Sequence, residues 1–292
     1  MACGPLVLKQ PLVPFSSSFL TQKFTIMAKF RSLFRVSGDI GDVNFYEKDG
    51  QKYMRQTTSL DKDRIANDPA FQRTRENNRE FSGAAAAGKS LRLGLSSVLK
   101  RFADNRFGAR LLRTFKKVQR GSVTGARGQR PVEVMPQRSK LVGQSLHRES
   151  LLSAIFTAPF TLTPSVSRNS VTLDIPVFDI DTQVTAPQGA THFKMVLVIA
   201  ALSDQVWDAD EASYIPMDPD LNGLNATEMS VEQDLDVPMV APIQLVASLP
   251  GNPTMLSTTG LVACVGIEFY QQVTGNLYVL ASDNAMKIVD VF

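Results

Sequence analysis

Residues 193–202 read FKMVLVIAAL, a run with a single charge, Lys194, and no proline or glycine. The length and the Val/Ile content suit a β-strand. Runs of the same character lie on either side. Phe160 and Leu162, then Val171, Leu173 and Ile175, alternate with polar residues. Further β-like runs occupy 239–249, 258–270, 276–280 and 286–292. Turn clusters separate them, Pro187-Gln188-Gly189 and Pro250-Gly251-Asn252-Pro253. Strands at this spacing without helical stretches predict an all-β sandwich over 151–292.

Upstream of residue 150 the pattern is different. Residues 40–57 predict a β-hairpin, with Asp49-Gly50 supplying the two positions that tolerate positive φ. Asp68 followed by Pro69 is a helix start. Phe81, Ala84, Ala85, Gly88, Leu91, Leu95, Val98, Leu99 and Phe102 then recur at helical spacing. Asp104-Asn105 permits a turn. A second helix carries Phe107, Leu111, Phe115 and Val118 on one face and Arg106, Arg110, Arg113, Lys116, Lys117 and Arg120 on the other. Residues 121–145, punctuated by Gly121, Gly125, Gly128, Pro131 and Pro136, read as a linker with no core of its own. The expected chain is thus α+β in two parts. A basic hairpin-plus-helix module covers 33–120, a flexible basic linker 121–150, and an acidic β-sandwich 151–292.

The charge distribution supports that division. The 292 residues carry a net charge of only +3. Residues 1–150 hold 28 Lys and Arg against 12 Asp and Glu, whereas 151–292 hold 3 against 16. Between Lys89 and Lys140 there are 14 cations against Asp104 and Glu133. Clustered cations of this kind release counterions from phosphates. The candidate contacts are Lys100, Arg101, Arg106, Arg110, Arg113, Lys116, Lys117 and Arg120. A solvated face, a membrane surface, and docking on an acidic partner (this chain's own β part included) are the competing readings.

Residues 1–38 contain no acid. An organellar transit peptide, a secretory signal and an upstream addition before an initiator at Met27 are the competing readings. The last is the favoured expectation, with 1–32 a disordered extension. No apolar run reaches transmembrane length, and a cytoplasmic location is expected.

Three motifs test for chemistry. Gly83 to Ser90 matches the phosphate-loop pattern letter for letter. The residues before it, Arg75 to Phe81, are too polar for the buried strand such a loop needs, and four alanines favour helix. A helix packed through small residues is expected there, with no nucleotide cofactor. Asp218, Asp220 and Asn222 open like a calcium loop, but Met229 stands where a bidentate Glu belongs and Glu228 falls one residue early. They form a weak Ca²⁺ candidate only. Cys3 and Cys264, with His147 and His192, supply no metal-site spacing and no organised nucleophile. A non-enzymatic protein is expected. Its basic module would bind nucleic acid without base specificity, and its β part would contact a protein partner or another copy of itself. The alternative is an assembly protein whose basic and acidic halves pair between subunits.

Two groups of residues also carry a resemblance. SGDIGDVNFYEKDGQKYMR at 37–55, DPAFQRTRENNREF at 68–81 and AAAAGKSLR at 84–92 resemble the amino-terminal half of an uncharacterised family of bacterial proteins. ATHFKMVLVIAALSD at 190–204 resembles the β-rich half of the same kind of protein. The resemblance implies a bacterial or mobile-element origin and brings no catalytic residue with it.

Overall fold

The computed structural model describes residues 27–29, 36–56 and 62–292. The readings of residues 1–26 lie outside it. The chain is mixed α+β and divides into two compact units, Met1–Ile65 and Ala66–Phe292.

In the first unit, β1 (Met27–Lys29), β2 (Gly38–Ile40), β3 (Val43–Lys48) and β4 (Gln51–Gln56) form an antiparallel sheet in the order β1-β4-β3-β2. The expected hairpin is present as β3–β4. Asp49 and Gly50 take φ of 53° and 70°, the left-handed geometry of a tight hairpin turn.

The larger unit begins within α1 (Lys62–Asn67). The Asp68 carboxylate then accepts a hydrogen bond from the Ala70 amide at 2.9 Å and starts a 3-10 turn, Pro69–Phe71. Helices α2 (Gln72–Gly94), α3 (Ser96–Phe102) and α4 (Phe107–Arg120) follow. After them come the short turns α5 (Leu152–Ile155) and α6 (Ile180–Gln183), and eleven strands. The strands are β5 (Thr161–Pro164), β6 (Ser170–Ile175), β7 (His192–Ser203), β8 (Gln205–Asp208), β9 (Ser213–Pro216) and β10 (Asn225–Met229). The rest are β11 (Gln233–Asp234), β12 (Ile243–Ser248), β13 (Thr259–Val273), β14 (Asn276–Val279) and β15 (Ala285–Val291).

The frame is the antiparallel pair β7–β13, in continuous register from Tyr270 opposite His192 to Thr259 opposite Ser203. β10 and β11 add on the β7 side, and β14 and β15 on the β13 side. A three-stranded sheet, β12-β6-β5, stands apart from it.

Side chains alternate faces along a strand, so β7 has two apolar faces to bury. Phe193, Met195, Leu197, Ile199 and Ala201 share a core with Val171, Leu173 and Ile175 of β6 and Ile243, Leu245 and Ala247 of β12. Val196, Val198, Ala200 and Leu202 share a second core with Ala84, Ala87 and Leu91 of α2, with Leu95 at the α2–α3 junction, and with Phe107, Leu111 and Phe115 of α4. A strand covered on both sides is uniformly apolar, which is why 193–202 does not alternate. Cys264 lies in the second core. Burial pushes its thiol up to about 12.

This arrangement corrects the expected division. The helices do not belong to a separate basic module, because they cover one face of the central sheet. Nor is 121–150 a flexible linker. Val132, Val134, Leu141 and Leu146 are fully buried in the helix-side core. Val132 bridges Gln205. Residues 143–146 run along the outer edge of β15: the amides of Gly143 and Leu146 donate to the carbonyls of Ile288 and Met286 at 2.8 and 2.9 Å. Gly128, with φ of 89°, lies so near α2 that a Cβ would come within 3.0 Å of Glu76.

Gly83 to Ser90 is continuous helix, as expected. Its small residues set packing distance. A Cβ on Gly83 would lie 2.8 Å from Tyr214 and from Gln119. At the end of the same helix a Cβ on Gly94 would lie 2.7 Å from the Cβ of Ala200.

The 132–134 segment depends on one buried acid. Asp204 Oδ1 accepts from the Val134 amide at 2.7 Å. Burial, opposed by that hydrogen bond and reinforced by the charges of Glu133 and Asp218, pushes the Asp204 carboxyl up to about 6. An unfolded Asp titrates near 3.9. Between these values the folded chain holds a proton that the unfolded chain has released. This group's contribution to stability therefore falls as pH rises from about 4 to about 6 and is absent above that. Asp204→Asn keeps the acceptor and removes the charge. It is expected to stabilise the chain at pH 7.5 by up to about 3 kcal/mol and to give little gain near pH 4. Urea unfolding of both proteins at the two pH values checks this. An equal effect at both contradicts it.

Candidate nucleic-acid interface

Helix α4 is amphipathic because its apolar residues fall on one stripe, where Phe107, Leu111, Phe115 and Val118 are buried against α2 and the sheet. That docking leaves the cationic side outward. The eight candidate cations then separate into two groups.

Lys100, Arg106, Arg113, Lys117 and Arg120 are exposed. Among the described residues, none of the ion pairs includes any of them. The other three are engaged. Arg101 Nη1 donates to both carboxylate oxygens of Glu268 at 2.8 Å, and the Glu268 side chain is fully buried. Arg110 Nη1 reaches Asp104 Oδ2 at 2.7 Å, and its Nη2 donates to the Leu146 carbonyl at 2.7 Å. Burial would raise the Asp104 carboxyl, but Arg110 and the amides of Arg106 and Arg148 outweigh it and hold the group below its ordinary value. Lys116 Nζ sits 5.6 Å from the Phe81 ring centroid. Arg101 and Arg110 are thus each clamped by an acid that the fold delivers, while their side chains stay partly exposed.

Three cations missing from the candidate set extend the outward face. Lys89 and Arg92 are exposed on α2, and Arg92 lies against Gly108 of α4. Lys140 Nζ donates to the Lys117 carbonyl at 3.0 Å, near the negative end of the α4 dipole. Lys89 and Arg92 are three residues apart on a helix, a spacing visible in the sequence but overshadowed by the phosphate-loop pattern around Lys89.

The acidic end of the same helix layer is self-contained. Glu76 pairs with Arg73 at 2.8 Å and with Arg127 at 3.4 Å, and Glu80 with Arg130 at 3.3 Å. Trp207 stacks under Arg79 at 5.1 Å and meets Tyr214 edge-on, so it is a packing residue. Tyr214 donates to the Arg130 carbonyl at 2.9 Å, and its hydroxyl is pushed up to about 12, chiefly by burial.

Two of the four calcium candidates are otherwise occupied. Asp218 Oδ2 accepts from the Thr258 and Thr259 hydroxyls at 2.5 and 2.6 Å. The Asn222 amide donates to Ser90 Oγ at 3.0 Å. Asp220 is exposed, and Glu228 lies on β10 opposite Leu197. Among the described residues no group of three His, Cys, Asp or Glu is placed to hold a metal ion. None of the described helices is long and apolar enough to cross a membrane. No protein-family profile, curated protein or solved structure matches the chain.

Proposed function

We propose that this is a non-enzymatic binding protein whose α2–α4 face contacts the phosphates of nucleic acid without reading base sequence. One observation carries the reading: Lys100, Arg106, Arg113, Lys117 and Arg120 stand exposed and outside any described ion pair, on a helix layer pinned to a rigid sheet. A pinned cationic face has less conformational freedom to lose on binding than a flexible arm. The six- and three-stranded sheets, which share one core, are proposed to be a sandwich that serves as its platform.

If about five phosphates are neutralised, the logarithm of the affinity for duplex DNA falls with the logarithm of salt at a slope near −4 to −5. Arg113→Glu with Arg120→Glu is expected to weaken binding to all sequences alike and to flatten that slope by about 2. Fluorescence anisotropy on the full chain at several salt concentrations reads both. Unchanged binding in the double variant sinks the reading.

A protein-contact surface on the β part is the second reading. It is favoured by two clefts that share Val237, Pro238 and Met239, beside the exposed Val240. The solution mass at low and high salt, with and without nuclease, separates the two. Nucleic acid retained by the chain supports the first. A nucleic-acid-free oligomer that persists at high salt supports the second.

A further inference from the structure

We infer that the β3–β4 hairpin is a second binding site, one that takes the unpaired bases of single-stranded nucleic acid. It lies in the first compact unit, whereas α4 belongs to the second, and it shares with the proposal above only the class of ligand.

The Asp49-Gly50 turn fixes the register, with Asn44 opposite Arg55, Tyr46 opposite Tyr53 and Lys48 opposite Gln51. Period-two alternation puts these six residues on one face, while Phe45 and Met54 take the other. The Tyr46 and Tyr53 rings stack with centroids 5.6 Å apart and planes 18° apart. The Arg55 guanidinium lies 5.7 Å from the Tyr46 centroid. Lys48 and Arg55 are exposed at the two ends of the tyrosine pair, and both tyrosines are partly exposed. A cleft of about 550 Å³ opens on this face, lined by Asn44, Tyr46, Lys48, Asp49, Tyr53 and Arg55.

Aromatic faces flanked by cations have a defined use. A base of any identity stacks on a ring, and the neighbouring cations meet the phosphates on either side. Bases inside a duplex present no free face, so the ligand is single-stranded. Asn44 offers an amide to a base edge or sugar, and its Nδ2 now donates to Asp39 Oδ1 at 2.6 Å. Among the described residues lining the cleft, Asp49 carries the only negative charge, and it sits at the turn.

The test compares two probes on the full chain: a single-stranded oligothymidylate of about 15 nucleotides, within the usual span of such sites, and a duplex of equal length. Tyr46→Leu with Tyr53→Leu keeps apolar bulk and removes the rings. It is expected to weaken single-strand binding about tenfold or more and to leave duplex binding unchanged. Equal loss on both probes, or no loss on the single strand, overturns the inference. Lys48→Gln with Arg55→Gln alters exposed groups only and guards against a hairpin that has simply unfolded. It should flatten the single-strand salt slope by about 1.4, and an unchanged slope also overturns the inference. If charge reversal at Arg113 and Arg120 leaves both probes unaffected while the tyrosine variant still loses the single strand, the α4 reading fails and the hairpin site stands.

Discussion

Residues 146–292 produced alone are expected to aggregate or to form soluble oligomers without a cooperative melt. Residues 66–292 are expected to unfold as one unit. The sequence favours the opposite outcome for the shorter chain, since its strands look self-sufficient. The central sheet, however, loses its whole helical cover at that cut. Val196, Val198, Ala200, Leu202, Val262, Cys264, Ile288 and Val291 all belong to the helix-side core. Burying each Val, Leu or Ile contributes about 1.5–3 kcal/mol, so the exposed face forfeits more than a domain's net stability. The cut also strips residues 143–145 from β15 and leaves that edge free to pair with another chain. Circular dichroism melts and size-exclusion mass of the two truncations decide the matter. A monomeric 146–292 with a cooperative transition would show that the helix layer is dispensable.

Arg101→Ala is expected to cost stability rather than binding. It leaves the Glu268 carboxylate without its cation in a position with no solvent access. Breaking a buried pair from one side costs about 3–5 kcal/mol. Arg101 is itself one-third exposed, and Tyr270 still donates to Glu268 Oε2 at 2.5 Å, so the lower end applies. At about 3 kcal/mol the midpoint falls by about 6–12 °C in a unit of this size. Arg101→Met with Glu268→Leu removes both charges and should recover most of the loss, because it is the unpaired charge that is costly. Thermal melts of the three proteins check the stability arm. The nucleic-acid salt slope, expected to be the same in Arg101→Ala as in the parent, separates Arg101 from Arg113 and Arg120. A normal melt with a flattened slope would return Arg101 to the phosphate-binding set.

Much of the secondary structure was legible because it depends on local signals. The Asp49-Gly50 turn, the Asp68-Pro69 start, the apolar stripe of α4 and the long apolar strands all appear where their chemistry puts them. What failed was long-range. Val132, Val134, Leu141 and Leu146 are isolated apolar residues among glycines, prolines and arginines, and no local pattern reports that each inserts into a core made by residues far along the chain. The non-alternating run at 193–202 did contain that information. A strand with one solvated face would have alternated, so its uniform apolarity required a second covering layer, and the amphipathic α4 was available to supply it. The candidate site was half legible. Helical spacing placed Arg106, Arg113, Lys117 and Arg120 together on the outward face. Nothing within reach in sequence showed that Arg101 would meet Glu268, or that Arg110 would lock onto the 145–146 backbone.

The pairing of residues 143–146 with β15 sets an order of events during synthesis. β15 itself pairs with β13, and the stretch that closes its outer edge is translated long before it. At about 5–20 residues per second, roughly 7–30 s separate the emergence of the two edges. Throughout that interval the 143–146 backbone has no strand to meet, and the helices can cover only the strands already made, β7 first among them. The nascent chain therefore leaves the ribosome with its apolar surfaces made early and matched late. This topology delays closure of the β15 edge until residues 285–291 are free to pair.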